Sequence, residues 1–122
     1  MEDAIKEIVF AAVDQAADVL LVTDVSGRIL YANRSFERVT GYRLEEIRGN
    51  NPRILRSHVH DDEFYTSMWF TILKGEVWST PIVNRRNDGS LYQAHETITP
   101  IRDPDGNVCY YLASQEIGRA HV

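Results

Sequence analysis

Between residues 4 and 17 the apolar positions Ile5, Ile8, Val9, Ala12, Val13 and Ala16 recur at helical intervals, which lays one apolar stripe along a helix with Glu7, Asp14 and Gln15 opposite. The period then shortens. Val19 to Asp24 and Arg28 to Asn33 read as two short strands, and Val25, Ser26 and Gly27 between them supply the turn of a β-hairpin. Asn33 stands where a helix cap belongs, ahead of a short helix through Arg38 and Val39 that Gly41 can end. A second short helix over Leu44 to Arg48 closes at Gly49.

The polar run Gly49, Asn50, Asn51 leads into Pro52, and only Ile54 and Leu55 anchor that stretch, so it is expected to wrap closely over the rest of the fold. Asp61, Asp62 and Glu63 then place negative charge where a helix dipole favours it. Phe64, Met68 and Ile72, beside Tyr65, Trp69 and Leu73, continue that helix to Gly75. Val77 to Arg86, Leu91 to Ile101 and Val108 to Ile117 read as strands, with turns at Asn87-Asp88-Gly89 and at Asp103 to Asn107. Pro81 has no N–H to give a ladder, so its strand belongs at a sheet edge. Two strands, several helices and three strands predict an α+β fold: one five-stranded antiparallel sheet with helices on one face.

Composition narrows the function classes. The chain has 122 residues, 43% of them hydrophobic, and 18 acidic side chains against 13 basic ones leave a net charge of -5, the profile of one globular domain. With no basic stretch, nucleic acid is not an expected partner. No apolar run approaches the ~20 residues of a membrane-spanning helix, and Met1-Glu2-Asp3 lacks the positive start of a signal peptide. Cys109 is alone, so intrachain disulfides are excluded and a reducing, cytoplasmic location is expected.

Catalytic groupings are absent from the pattern. His58 and His60, next to Asp61 and Asp62, have a spacing that either binds a divalent metal or belongs to a solvated loop. His95 is out of phase with Ala94, Glu96 and Ile98 and is expected to face solvent or a partner. Cys109 reads as a small core residue. More informative are polar residues that share a strand phase with apolar ones: Asn84 with Trp78 and Ile82, Glu96 with Tyr92 and Ala94, Gln115 with Tyr111 and Ala113. Unpartnered burial would cost each about 1 to 3 kcal/mol. They therefore meet one another, backbone or buried water, or they face a ligand. Ala94 and Ala113 leave floor space over the sheet, and Trp78 offers a flat wall for a planar ring.

These pieces in this order resemble the PAS family of sensory domains over nearly the whole chain. Val22-Thr23-Asp24, Gly27 through Asn33, Phe36, Thr40-Gly41-Tyr42, Glu46-Ile47 and Gly49 resemble its opening hairpin and first helices. Asn84 through Ser90, and Thr99-Pro100-Ile101-Arg102-Asp103 with Gly106, resemble its closing strands. The resemblance implies strand order 2-1-5-4-3. It divides the chain into an N-terminal amphipathic helix (residues 1–17), a PAS domain (18–118) and a tail (119–122).

Asn51-Pro52-Arg53-Ile54-Leu55, Val77-Trp78-Ser79 and Asn84-Arg85-Arg86 look most like the FAD-binding PAS domains of NifL- and MmoS-type redox sensors. Compared with the light-sensing LOV branch, Asn51, Asn84 and Gln115 match flavin-holding amides, a further amide position is Ala94, and the photoactive cysteine position is Pro52. Arg53 and Arg56 match positions near the flavin phosphate. The resemblance thus implies a non-catalytic module that binds FAD through Asn51, Arg53, Trp78, Asn84, Glu96 and Gln115. It would report redox or oxygen status to an output domain in the same chain: a histidine kinase, a diguanylate cyclase or a transcriptional regulator. It also implies a homodimer through the N-terminal helix. A cofactor-free dimerisation or docking domain is the alternative. Haem sensing, a third reading, is disfavoured because His58 and His60 precede the long helix.

Overall fold

A computed structural model describes residues 1–118; the sequence-level tail, with His121, lies outside them. Helix α1 (Glu2–Gln15) is followed by strands β1 (Val19–Asp24) and β2 (Ile29–Ala32), helices α2 (Arg34–Thr40) and α3 (Leu44–Ile47), a 3₁₀ turn (Pro52–Leu55), helix α4 (Asp62–Leu73), and strands β3 (Trp78–Arg85), β4 (Leu91–Arg102) and β5 (Val108–Ile117). The strands form one five-stranded sheet in the order β2-β1-β5-β4-β3, antiparallel at every junction.

Local chemistry explains the boundaries. The Asp24 carboxylate accepts from the N–H groups of Ser26 and Arg28, which closes the β1–β2 turn around Gly27 at φ +90°. Asn33 and Asp61 cap α2 and α4 by accepting from Phe36 N and Phe64 N. Gly41 ends α2 in the left-handed conformation.

Pro81 lies on β3 at the sheet edge, as its missing donor requires. Two residues on, Val83 turns its N–H away from β4 and donates to His60 Nε2 at 2.9 Å. Backbone groups two apart on a strand point the same way, so the donor that Pro81 lacks would have faced the open edge. His60 also stacks on Phe64, with ring centroids 4.0 Å apart. It is therefore a strut between edge strand and helix, not a solvated loop residue.

The core fills the space between the sheet and α2 to α4, with Ile29, Phe36 and Ile47 at its centre. Leu73 and Ile117, at the ends of their elements, are exposed. Leu73 is the last residue of α4, and Ile117 the last of β5, so neither has a facing layer to pack against. Cys109 is only half-buried near the start of β5, where its Sγ reaches Asn107 O at 3.5 Å, and is not a core residue.

No residue of α1 is buried, and Ile5, Ile8, Val9 and Phe10 remain more than half exposed. The helix is held at its C-terminal end. Asp14 accepts from Tyr31 Oη at 2.6 Å and from Arg34 Nε at 2.8 Å, and Val13 O accepts from Asn33 Nδ2.

Candidate ligand cavity

A cavity with about 90 Å³ of water-accessible space opens to solvent between the inner face of the sheet, the segment from Asn51 to Arg56, and α4. Its walls are mostly apolar, and they include Met68 and Trp69 of α4 and Ala113 of β5. By this measure one water needs only ~10 to 15 Å³, so the space is a real hollow and not a packing defect.

Among the sequence-predicted residues, Asn51, Arg53, Asn84 and Glu96 line it. Asn51 Oδ1 accepts from Arg53 N at 3.0 Å, which starts the 3₁₀ turn and holds Pro52 in the wall. Arg53 is exposed at the rim. Asn84 is buried, and its backbone bridges to Arg56, so the turn is stitched to the edge of β3 above the cavity.

Gln115 and Trp78 sit elsewhere. Gln115 is one layer behind the wall: its Nε2 donates to Glu96 Oε1 at 2.8 Å, and its Oε1 accepts from Tyr92 Oη at 2.9 Å. It reaches the cavity through Glu96. Trp78, expected as a flat wall, is not in the lining; it is buried edge-on to Phe64 with centroids 5.4 Å apart. The tryptophan in the wall is Trp69, one residue after Met68 on α4. The sequence put Trp69 on a helix facing the core, and the rotation of that helix brought it here.

The electrostatics of the wall are set by burial. Glu96 is 8% exposed, and desolvation pushes its carboxyl up from 4.5 to about 7 against the opposing hydrogen bond from Gln115. Tyr65 also lines the cavity, and its buried hydroxyl has no hydrogen-bond partner among the described residues. Burial raises this phenol too, while the Arg56 guanidinium, 3.8 Å above its ring, works the other way. Sequence reading missed Tyr65; its helical phase with Met68 and Trp69 was the available signal.

Gly27 brings the β1–β2 turn against this wall. A Cβ there would lie 2.9 Å from Asn51 Nδ2 and 3.4 Å from the Trp69 ring, on a backbone at φ +90°. Gly27→Ala is therefore expected to cost about 1 to 2 kcal/mol in strain, measured by urea unfolding, and to shift the Trp69 fluorescence. An unchanged emission would show that Trp69 does not pack here.

Other candidate groups fall outside the cavity. No group of three or more His, Cys, Asp or Glu among the described residues is arranged to hold a metal ion. His95 is on the outer sheet face, where its Nε2 lies 2.7 Å from Ser79 Oγ. No helix among the described residues is long and apolar enough to cross a membrane.

The PAS fold family matches residues 7–116. The chain belongs to the PAS family. This PAS domain is 41% identical over 106 residues to a nitrogen fixation regulatory protein of Klebsiella oxytoca, which covers 87% of the chain and 21% of that relative. The chain thus spans about a fifth of the length of that curated relative. Among solved structures, an RNA-binding light-oxygen-voltage receptor superposes with a TM-score of 0.91 at 28% identity, covering 99% of this chain and 34% of that one. A light-oxygen-voltage domain studied with a flavin analogue superposes with a TM-score of 0.80 at 30% identity, covering 93% and 87% respectively. PAS domains are sensory modules of signalling proteins, and the five-stranded sheet with covering helices places this chain among them.

Proposed function

We propose that this PAS domain binds a flavin, as FAD, and converts its redox state into a conformational bias on an attached output domain. The observation that carries the reading is the state of the wall: among the described residues the buried Tyr65 hydroxyl has no partner and the Glu96 side chain has only one, in an apolar hollow open to solvent. A planar ring with hydrogen-bonding edges would satisfy such groups while its faces meet Met68, Trp69 and Ala113. The rest of the cofactor would extend through the mouth toward Arg53 and Arg56, whose charges suit a phosphate. Bound flavin would supply reversible uptake of electrons. The chain's contribution is to orient the ring through Asn51 and Asn84 and to carry changes at its edge through Glu96 to Gln115 and β5.

A redox response fits better than light-driven thiol chemistry. The cavity wall presents Pro52 and no thiol, while Cys109 is outside the lining. The similarity to a light-oxygen-voltage domain studied with a flavin analogue supports a flavin as the occupant.

Freshly purified protein is expected to be yellow, or to take up FAD on incubation with a rise in melting temperature. Asn84→Ala is expected to weaken retention by about tenfold, the equivalent of one lost hydrogen bond. Protein that stays colourless and shows no thermal shift with FAD would instead favour a cofactor-free docking module.

The exposed stripe of α1 supports a second element of the proposal. Ile5, Ile8, Val9 and Phe10 are left more than half exposed by the described residues, and pairing with a second copy would cover them.

A further inference from the structure

We propose that Glu96 meets the cavity's occupant as a protonated acid, so that it selects a ring edge that accepts a hydrogen bond and couples occupancy to uptake of a proton. The inference rests on the flavin reading above and deepens it, since the oxidised flavin ring presents such an edge.

Among the described residues that line the cavity, Glu96 is the sole carboxylate. Among the described residues, the one hydrogen-bond partner of its side chain is the Gln115 amide. Tyr92 holds the other end of that amide by donating to Gln115 Oε1, so the nitrogen is fixed toward Glu96 and one carboxyl oxygen is committed as an acceptor. The other oxygen makes no hydrogen bond among the described residues, on a side chain that lines the cavity.

Among the described residues no cation forms an ion pair with the Glu96 carboxyl. Arg56, on the segment after the 3₁₀ turn, is engaged over the Tyr65 ring, and Arg53 is exposed at the rim. The titratable groups facing Glu96 are Tyr65 from α4 and Tyr92 from β4, both neutral phenols held protonated by burial, and Tyr111 from β5, which bonds Ile72 O at 3.4 Å. His60, just ahead of the α4 cap, accepts from Val83 N. Asn84 of β3 and Thr23 of β1 add no charge.

A ring entering the hollow displaces water and removes what solvation the carboxylate has, which favours the neutral acid further. The proton comes from solvent through the open mouth. Protonated, the free side of the carboxyl can donate; ionised, it would set a bare negative charge against an accepting edge. An occupant that presents an N–H there reverses the preference and is held best by the ionised form. Selectivity is thus set by one proton.

Oxidised FAD is the probe. Its dissociation constant is measured between about pH 5.5 and 8.5 for the wild type, Glu96→Gln and Glu96→Leu, with the Glu96 carboxyl carbon followed by NMR in ligand-free and loaded protein. Wild-type affinity is expected to be flat at acid pH and to fall by up to about tenfold per pH unit above neutrality. Glu96→Gln, a neutral donor at every pH, should hold FAD near the acid-limit affinity with no slope, and Glu96→Leu should be weaker by about tenfold throughout. The ligand-free carboxyl should titrate near 7, and FAD should move that titration upward. A flat wild-type profile, or a slope that survives in Glu96→Gln, would overturn the proposal. So would titration in the ordinary carboxylate range with FAD bound normally, and that result would leave the flavin reading standing. Failure of FAD to bind any of the three, with Glu96 still titrating near 7, would sink the flavin reading and this inference together.

Discussion

Asn33→Ala is expected to lower the unfolding free energy by about 3 to 5 kcal/mol, a large effect for one surface-sized polar residue. Asn33 is fully buried, and its amide makes four hydrogen bonds: Oδ1 accepts from Leu20 N and Phe36 N at 3.0 Å, and Nδ2 donates to Val13 O at 2.9 Å and Asp18 O at 3.0 Å. These tie the end of α1, the start of β1 and the cap of α2 to one side chain. Alanine removes all four bonds and strands the Leu20 and Phe36 N–H groups and the Asp18 carbonyl, each costing about 1 kcal/mol or more, while Val13 O keeps its bond from Ala16 N. Asn33→Asp keeps both acceptor bonds but points a charge at two carbonyls, and is expected to be as destabilising at neutral pH. Chemical denaturation gives the totals, and amide exchange at Leu20 and Phe36 gives the local effect. A loss under about 1 kcal/mol would mean that water enters and replaces the amide.

The second large effect is pH-dependent. In the folded chain Glu96 holds its proton up to about 7, and in the unfolded chain only to about 4.5. Between those values the folded state binds more protons than the unfolded one, so stability from this group is full below 4.5 and is lost as pH rises through 7. Glu96→Gln removes that dependence while retaining a group that can accept from Gln115. The variant is expected to match wild type near pH 4, and to be more stable at pH 8 by up to about 3 kcal/mol in the ligand-free protein. Parallel stability curves for the two proteins across this window would show that Glu96 is solvated in the fold. Neither Asn33 nor Glu96 announces these properties by type; both follow from the backbone groups and walls that surround them.

How much was legible varies with the range of the cause. The strands were readable because alternation and turn residues are local: β1 and β5 run over the segments that their apolar phases marked, and Gly27 and Gly41 sit where a positive φ is needed. Asn33 was readable as a cap for the same reason, since Phe36 is three residues away. Its bonds to Val13, Asp18 and Leu20 were not, because they require α1 and β1 to be brought alongside. Asn84, Glu96 and Gln115 shared a phase with core residues, and all three are buried. Which of them touches the cavity was decided by register: Glu96 stands opposite Gln115 across β4 and β5, so the amide is spent on the carboxyl. The exchange of Trp78 for Trp69 has a similar origin. Strand phase correctly put Trp78 inside, but Phe64 covers it, whereas the rotation of α4 turns Trp69 to the wall.

The order of patterned segments, the antiparallel sheet with Pro81 at its edge and the inward row of polar side chains were determined by the chain of residues itself, because each depends on period, capping and backbone donors within a few positions. Only the tertiary structure decided that a hollow remains beneath α4, that Tyr65 and Glu96 meet it with incomplete hydrogen bonding, and that the apolar stripe of α1 is left uncovered. Those outcomes depend on how helices settle over a twisted sheet, where the distance between surfaces, and not the pattern on either one, determines what is filled.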